Sequence, residues 1–192
     1  MDAIMLDRRD FVGQLLIDRG ELLVVCGLGS ATYDVAAAGD HPLNFYLWGA
    51  MGGTAMIGLG LALARSDRRV AVITGDGDML MGIGSLATIG VKQPKNLAIV
   101  VLDNGHYGET GMQPSHTDAG VDLVAMGLAC RFKHARAVSR IDEAADVRAL
   151  LHAGEGPILV NARIKAEDVP RVLPLRDGHA IKQRFVEALN SL

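Results

Sequence analysis

Arg69-Val70-Ala71-Val72-Ile73-Thr74-Gly75-Asp76-Gly77 runs from an apolar stretch straight into an aspartate flanked by glycines. An apolar run of this length, closed by a turn signal, reads as a strand buried on both faces. A second run, Leu97-Ala98-Ile99-Val100-Val101-Leu102, ends similarly in Asp103-Asn104-Gly105. If the two strands lie parallel and adjacent, Asp76 and Asn104 meet in neighbouring loops at their carboxyl ends. A carboxylate beside an amide carbonyl is a hard-oxygen pair suited to Mg²⁺, which is usually shared with phosphate oxygens. The glycines around Asp76 let the backbone approach such phosphates and offer amide donors. The plainer alternative is two ordinary loops between buried strands.

Outward from these runs, strands and helices alternate. Helices are expected over residues 8–19, 31–38, 54–65, 85–92, 121–130 and 141–152, with a closing helix at about 180–191. Strands are expected over 22–26, 45–47, 70–74, 97–102 and 157–162. This alternation predicts one α/β domain over residues 1–192, with a doubly wound, mainly parallel sheet and helices on both faces. Helix 54–65 is rich in small residues, which allows close packing on the sheet. The basic stretch Arg131-Phe132-Lys133-His134-Ala135-Arg136 reads as a solvated connection, and residues 170–178 as a loop. His41, His134, His152 and His179 read as surface residues.

At 192 residues the chain can bury a substantial core, and at 49% hydrophobic but 4% aromatic that core must be aliphatic. A net charge of −3 gives no reason to expect nucleic acid or an anionic membrane as partner. Cys26 and Cys130 sit in apolar contexts without metal-ligand spacing and read as reduced thiols. Asp2, Asp7, Arg8, Arg9 and Asp10 break up any leader-like apolar run. The apolar stretch 50–64 is studded with glycine and too short to span a bilayer. A soluble, cytoplasmic protein is the expectation.

Gly75-Asp76-Gly77 followed by Asn104, each after an apolar strand, with Tyr107 beyond, resembles the signature of thiamine diphosphate enzymes. The resemblance covers residues 22–164 and implies thiamine diphosphate and Mg²⁺ as cofactors. It gives Asp76, Asn104 and the His106 carbonyl to the metal. Ser30, Gly75, Gly77, Asp78, Tyr107 and Gly108 would lie against the cofactor. Asp78 is a doubtful ligand, because a second carboxylate beside a diphosphate is repelled, though its amide could face phosphate. In Leu47-Trp48-Gly49-Ala50-Met51-Gly52, the resemblance gives the Gly49 carbonyl and Met51 amide to the pyrimidine. The Met51 side chain would be the wedge that bends the cofactor; simple core packing is its alternative.

Gly27-Leu28-Gly29-Ser30 invites a dinucleotide reading, but position 32 is Thr32 and no acidic residue follows about twenty positions on. A phosphate-facing turn with Ser30 as donor, or a plain tight turn, remains. Glu109 is a candidate proton carrier, which an apolar pocket would favour; a solvated loop residue is the alternative. His106 and His116 are candidates for a substrate anion site or proton relay. Gln113 and Ser115 are further polar residues of that loop.

Thiamine diphosphate enzymes also need a pyrimidine-binding domain carrying an activating Glu, and no second α/β unit is evident here. The resemblance therefore implies a subunit that shares its active site with a pyrimidine-domain partner, in a hetero-oligomer of α2β2 type or larger, and is inactive alone. Gly49-Ala50-Met51-Gly52, Leu86-Ala87-Thr88-Ile89-Gly90 and Gly111-Met112-Gln113-Pro114 most resemble the β subunit of sulfopyruvate decarboxylase and the matching half of phosphonopyruvate decarboxylase. The implied reaction is loss of CO₂ from a small 2-oxo acid. A carboligase subunit of acetolactate-synthase type and a non-catalytic partner are the alternatives.

Overall fold

The computed structural model describes residues 5–192; Asp2 lies outside them. Six strands form one sheet in the order β2-β1-β3-β4-β8-β7, every neighbouring pair parallel. They are β1 (Leu23–Cys26), β2 (Asn44–Tyr46), β3 (Val70–Gly75), β4 (Leu97–Asp103), β7 (His134–Val138) and β8 (Ile158–Arg163). A two-stranded antiparallel ribbon, β5 (His106–Tyr107) with β6 (Gln113–Pro114), stands apart.

The strands alternate their side chains between two apolar layers, as the period of two requires. On one face Val24, Ile73, Val100 and Val160 pack with α1 (Arg8–Leu15), α2 (Ser30–Ala37) and α7 (Ala144–Ala153). On the other, Val25, Val72, Ile99 and Leu159 pack with α3 (Thr54–Ala64), α5 (Ser85–Lys92), α6 (Leu123–Ala129) and α8 (Gly178–Asn190). The doubly wound α/β arrangement is thus the observed one. Gly58 explains part of the small-residue content of α3: a Cβ there would stand 2.2 Å from Val72 Cγ2. Asp7, Asp122 and Asp177 cap α1, α6 and α8 by accepting from first-turn amides.

Several boundaries differ from the sequence expectations. The first helix stops at Leu15, because Asp18 and Gly20 adopt positive φ. A 3₁₀ turn at Ile141–Glu143 precedes α7, and the closing helix starts at Gly178. A further helix, α4 (Asp76–Met81), starts at the aspartate expected to sit in a loop. The basic stretch 131–136 is not a solvated connection, since His134 begins edge strand β7. Its charged residues suit an edge, where they discourage further pairing. Cys26 and Cys130 are free thiols, and burial pushes the Cys26 pKa up. Among the described residues, no helix is long and apolar enough to cross a membrane.

Candidate active site

From β1 the chain crosses to β2 on one side and later to β3 on the other. Loops leaving the carboxyl ends of β1 and β3 diverge there, which makes this the point where ligands of open α/β sheets gather. A cavity lies at that crevice, lined among others by Ser30, Met51, Asp76, Asn104, His106 and Glu109. Gly75 pairs in register with Leu102, so β3 and β4 deliver Asp76 and Asn104 to one rim. Gly77, Asp78, Tyr107 and Gly108 also line the cavity. Gly49 and His116 are exposed residues outside that lining.

Asp76 is 2% exposed, and its Oδ2 accepts from the hydroxyls of Ser115 and Thr117. Among the described residues, no side chain donates to its Oδ1. The Thr117 hydroxyl also lies 2.7 Å from Asp103 Oδ1. Asp103 in turn accepts from Asn161 at 2.9 Å and Arg163 at 2.7 Å, and from the Gly105 amide at 3.0 Å. A buried polar network thus holds Asp76 from beneath. Burial pushes the Asp76 carboxyl above its ordinary pKa; the Ser115 hydroxyl opposes the rise, and the Asp103 charge adds to it. The chain therefore compensates the ionised form only in part, and a cation at Oδ1 would supply the rest.

Asn104 keeps its side-chain oxygen toward the loop, accepting the His106 amide at 2.9 Å. The His106 ring turns back, with Nδ1 2.9 Å from the Asn104 carbonyl. Among the described residues, no three His, Cys, Asp or Glu side chains cluster as metal ligands. A metal here would need one carboxylate, one amide oxygen and oxygens from elsewhere, and phosphate-bound Mg²⁺ accepts that donor set.

Asp78 is 6% exposed and already occupied by protein partners: Oδ1 accepts the Gly52 amide and Oδ2 the Thr74 hydroxyl. Its carboxylate ties the β2–α3 loop to α4, while its own amide belongs to the first turn of α4, where no intrahelical acceptor exists. Gly77 leaves room for two neighbours. A Cβ on it would meet the Tyr107 ring at 2.7 Å and Met51 Cε at 3.3 Å. Met51 is 38% exposed and projects at the cavity rim.

In the β1–α2 loop, Gly29 has φ +71° and a Cβ there would lie 2.6 Å from Glu109 Oε1. Thr32, in place of the glycine of a dinucleotide fingerprint, donates to the Gly27 carbonyl at 2.8 Å. Glu109 is exposed, with Arg171 Nη2 3.7 Å from its Oε2, a solvated setting rather than an apolar one. His116 Nδ1 lies 3.3 Å from the Tyr107 hydroxyl. The supporting residues Asp103, Thr117, Asn161 and Arg163 had no role in the sequence reading. Only the Asp-Asn-Gly triplet hinted at Asp103.

Residues 27–162 match the family described as thiamine pyrophosphate enzyme, C-terminal TPP binding domain. The chain is 37% identical over 186 residues to sulfopyruvate decarboxylase subunit beta of Methanothermobacter thermautotrophicus, covering 96% of each. It is 39% identical over 156 residues to phosphonopyruvate decarboxylase of Streptomyces viridochromogenes, covering 79% of this chain and only 39% of that protein. The fold is shared with benzoylformate decarboxylase from Polynucleobacter necessarius, at a TM-score of 0.73 and 19% identity over 88% of this chain and 35% of that one.

Proposed function

The chain belongs to the thiamine pyrophosphate enzymes by their C-terminal TPP-binding domain, and on that premise we propose that it is one subunit of a 2-oxo acid decarboxylase of the sulfopyruvate or phosphonopyruvate type. The observation that carries the reading is Asp76. This buried carboxylate has one oxygen braced by two hydroxyls and the other, among the described residues, free of side-chain donors, on the same rim as Asn104.

When bound, thiamine diphosphate supplies the electron sink that lets a 2-oxo acid lose CO₂. Around it the chain's residues have separable tasks. Asp76, Asn104 and the His106 carbonyl would hold Mg²⁺. Ser30, Gly75, Gly77 and the Asp78 amide face the diphosphate, with Tyr107 and Gly108 closing that side. The Gly49 carbonyl and Met51 amide would hold the pyrimidine, with the Met51 side chain packed beneath it. Glu109, His106 and His116 stand at the open edge, where protons enter and leave.

A partner chain supplies the pyrimidine-binding half. Two size relations support this: the chain matches nearly all of a protein named subunit beta, but about two fifths of phosphonopyruvate decarboxylase. The pair is cytoplasmic and acts on a small 2-oxo acid bearing a second anionic group.

The test is Asp76→Ala in the assembled complex, read by calorimetric binding of thiamine diphosphate with Mg²⁺. The expected result is loss of binding, about 100-fold or more, with the circular dichroism spectrum of the unaltered chain. Normal retention would sink the assignment. The isolated chain is expected not to decarboxylate 2-oxo acids, and measurable turnover by it would refute the shared site.

A further inference from the structure

Arg8 belongs to none of the loops described above, yet its side chain is only 5% exposed and lines the cavity beside Ser30, Asp76 and Asn104. Its Nε donates to Asp34 Oδ2 at 2.6 Å, and Asp34 is wholly buried. Among the described residues, nothing accepts from Arg8 Nη1 or Nη2. Asp34 is also shared, because Arg9 Nε approaches its Oδ1 at 3.5 Å. The Nη half of the Arg8 charge thus meets the cavity with no carboxylate bonded to it, although Asp76, Asp78 and Glu109 also line that cavity. Such a charge is unfavourable away from water unless an anion meets it.

The location points to which anion. Asp34 lies one turn beyond Ser30 in α2, so both occupy one helix face. An arginine seated on Asp34 lies against the first turn of α2, where no side chain caps the free amides. Arg8, Ser30 and Asn104 also line a smaller adjoining cavity, whose walls carry Asp34, Glu109, Glu167 and Asp168 along with Arg171. Arg8 and Ser30 therefore share one wall of the main cavity, beside the uncapped amides of α2.

We propose that Arg8, held in place by Asp34, is the cationic seat for the terminal phosphate of the cofactor's diphosphate. The inference rests on the thiamine diphosphate reading above. Its guanidinium would use Nη1 and Nη2 for the phosphate while Nε stays on Asp34, a fork that lysine cannot reproduce.

The test is calorimetric binding of thiamine diphosphate and of thiamine monophosphate, each with Mg²⁺, to the assembled complex. Arg8→Gln is expected to weaken the diphosphate about 10- to 100-fold and the monophosphate less than about 3-fold. Arg8→Gln combined with Asp34→Asn avoids an orphaned buried carboxylate and should lose the same preference. Arg8→Lys is expected to fall between. If the neutral variants do not fold, the lysine variant decides, and an unchanged preference in it overturns the proposal. Equal diphosphate affinity in Arg8→Gln and the unaltered complex also overturns it, while leaving the Asp76 reading intact. Failure of the unaltered complex to bind thiamine diphosphate would instead sink that parent reading, and this inference with it. An unchanged cofactor affinity with a raised KM only for 2-oxo acids carrying a second anionic group would assign Arg8 to the substrate and refute the phosphate seat.

Discussion

Asp78 accepts the backbone amide of Gly52, so one carboxylate joins the start of α4 to the loop expected to hold the pyrimidine. Its other oxygen takes the Thr74 hydroxyl at the end of β3. Removing it leaves two donors without their acceptor, in a place water reaches poorly. Asp78→Ala is expected to cost about 1–3 kcal/mol, read as a lower urea midpoint, and to weaken cofactor binding through a loosened 49–52 loop. Asp78→Asn keeps one acceptor and should lose less. An alanine variant with unchanged midpoint and unchanged affinity would refute the bridging role.

The same residue marks how far the sequence could be read. Long apolar runs such as 97–102 predict buried strands because nothing else suits such composition, and those strands fixed where Asp76 and Asn104 emerge. The carboxylate of Asp78 was expected to be repelled by a diphosphate, but its use depends on Gly52, which no local pattern connects to it. The network under Asp76 is equally non-local: Ser115, Thr117, Asn161 and Arg163 converge through strand order alone. Edge strand β7 was missed because one-sided burial leaves it polar, with Val138 its one fully buried side chain. In the sequence Arg8 is one of several charges that interrupt an apolar run, and only tertiary packing buries it against Asp34.

Gly77 is a steric requirement of the site. A methyl group there would enter the space of the Tyr107 ring and press on Met51. Both neighbours are partly exposed side chains that can swing away, so Gly77→Ala should change stability by no more than about 1 kcal/mol. The displaced Met51 and Tyr107 should nevertheless lower cofactor affinity at least tenfold in the assembled complex. Titration with thiamine diphosphate measures this, and wild-type affinity would contradict it.

Asp76 sets an opposition between stability and ligand binding. Burial holds its folded-state pKa above the unfolded value of about 3.9. The native state then binds more protons, so the metal-free chain loses stability as pH rises from the unfolded pKa through the raised one. Asp76→Asn cannot ionise and escapes that loss. Its urea midpoint should exceed that of the unaltered chain above this window and converge with it below about pH 4. The raised pKa of Asp34 is common to both proteins and drops out of the difference. With Mg²⁺ and thiamine diphosphate present in the assembled complex, the ranking should reverse. A variant less stable than the unaltered chain at neutral pH without metal would contradict the argument.

Asp103 is 1% exposed and serves four donors: Thr117, Asn161, Arg163 and the Gly105 amide. Asp103→Ala takes the acceptor from Asn161, Arg163 and the Gly105 amide, while Thr117 keeps Asp76. Arg163 keeps one third of its side chain in solvent, which softens the loss of the ion pair. A destabilisation of about 2–3 kcal/mol is expected from urea melts, along with weaker Mg²⁺-dependent cofactor binding, because the turn that carries Asn104 loses its anchor at the Gly105 amide. Loss of stability without loss of affinity would separate the two effects and remove Asp103 from the support of the site.

Met81 carries the partner question. It ends α4 at 68% exposure, and a Cβ on Gly52 would come within 3.3 Å of its Cγ. An apolar side chain that open, adjoining the loop of the similarly open Met51, is what a surface covered on assembly presents. Because Met81 is exposed in the free chain, Met81→Asp should leave the urea midpoint of that chain within about 0.5 kcal/mol of normal. In the complex the same change would bury a carboxylate without a partner, which is costly. Assembly with the pyrimidine-domain chain, followed by sedimentation, should weaken at least tenfold, and Met81→Leu should restore it. Undiminished assembly by the aspartate variant would move the interface away from α4.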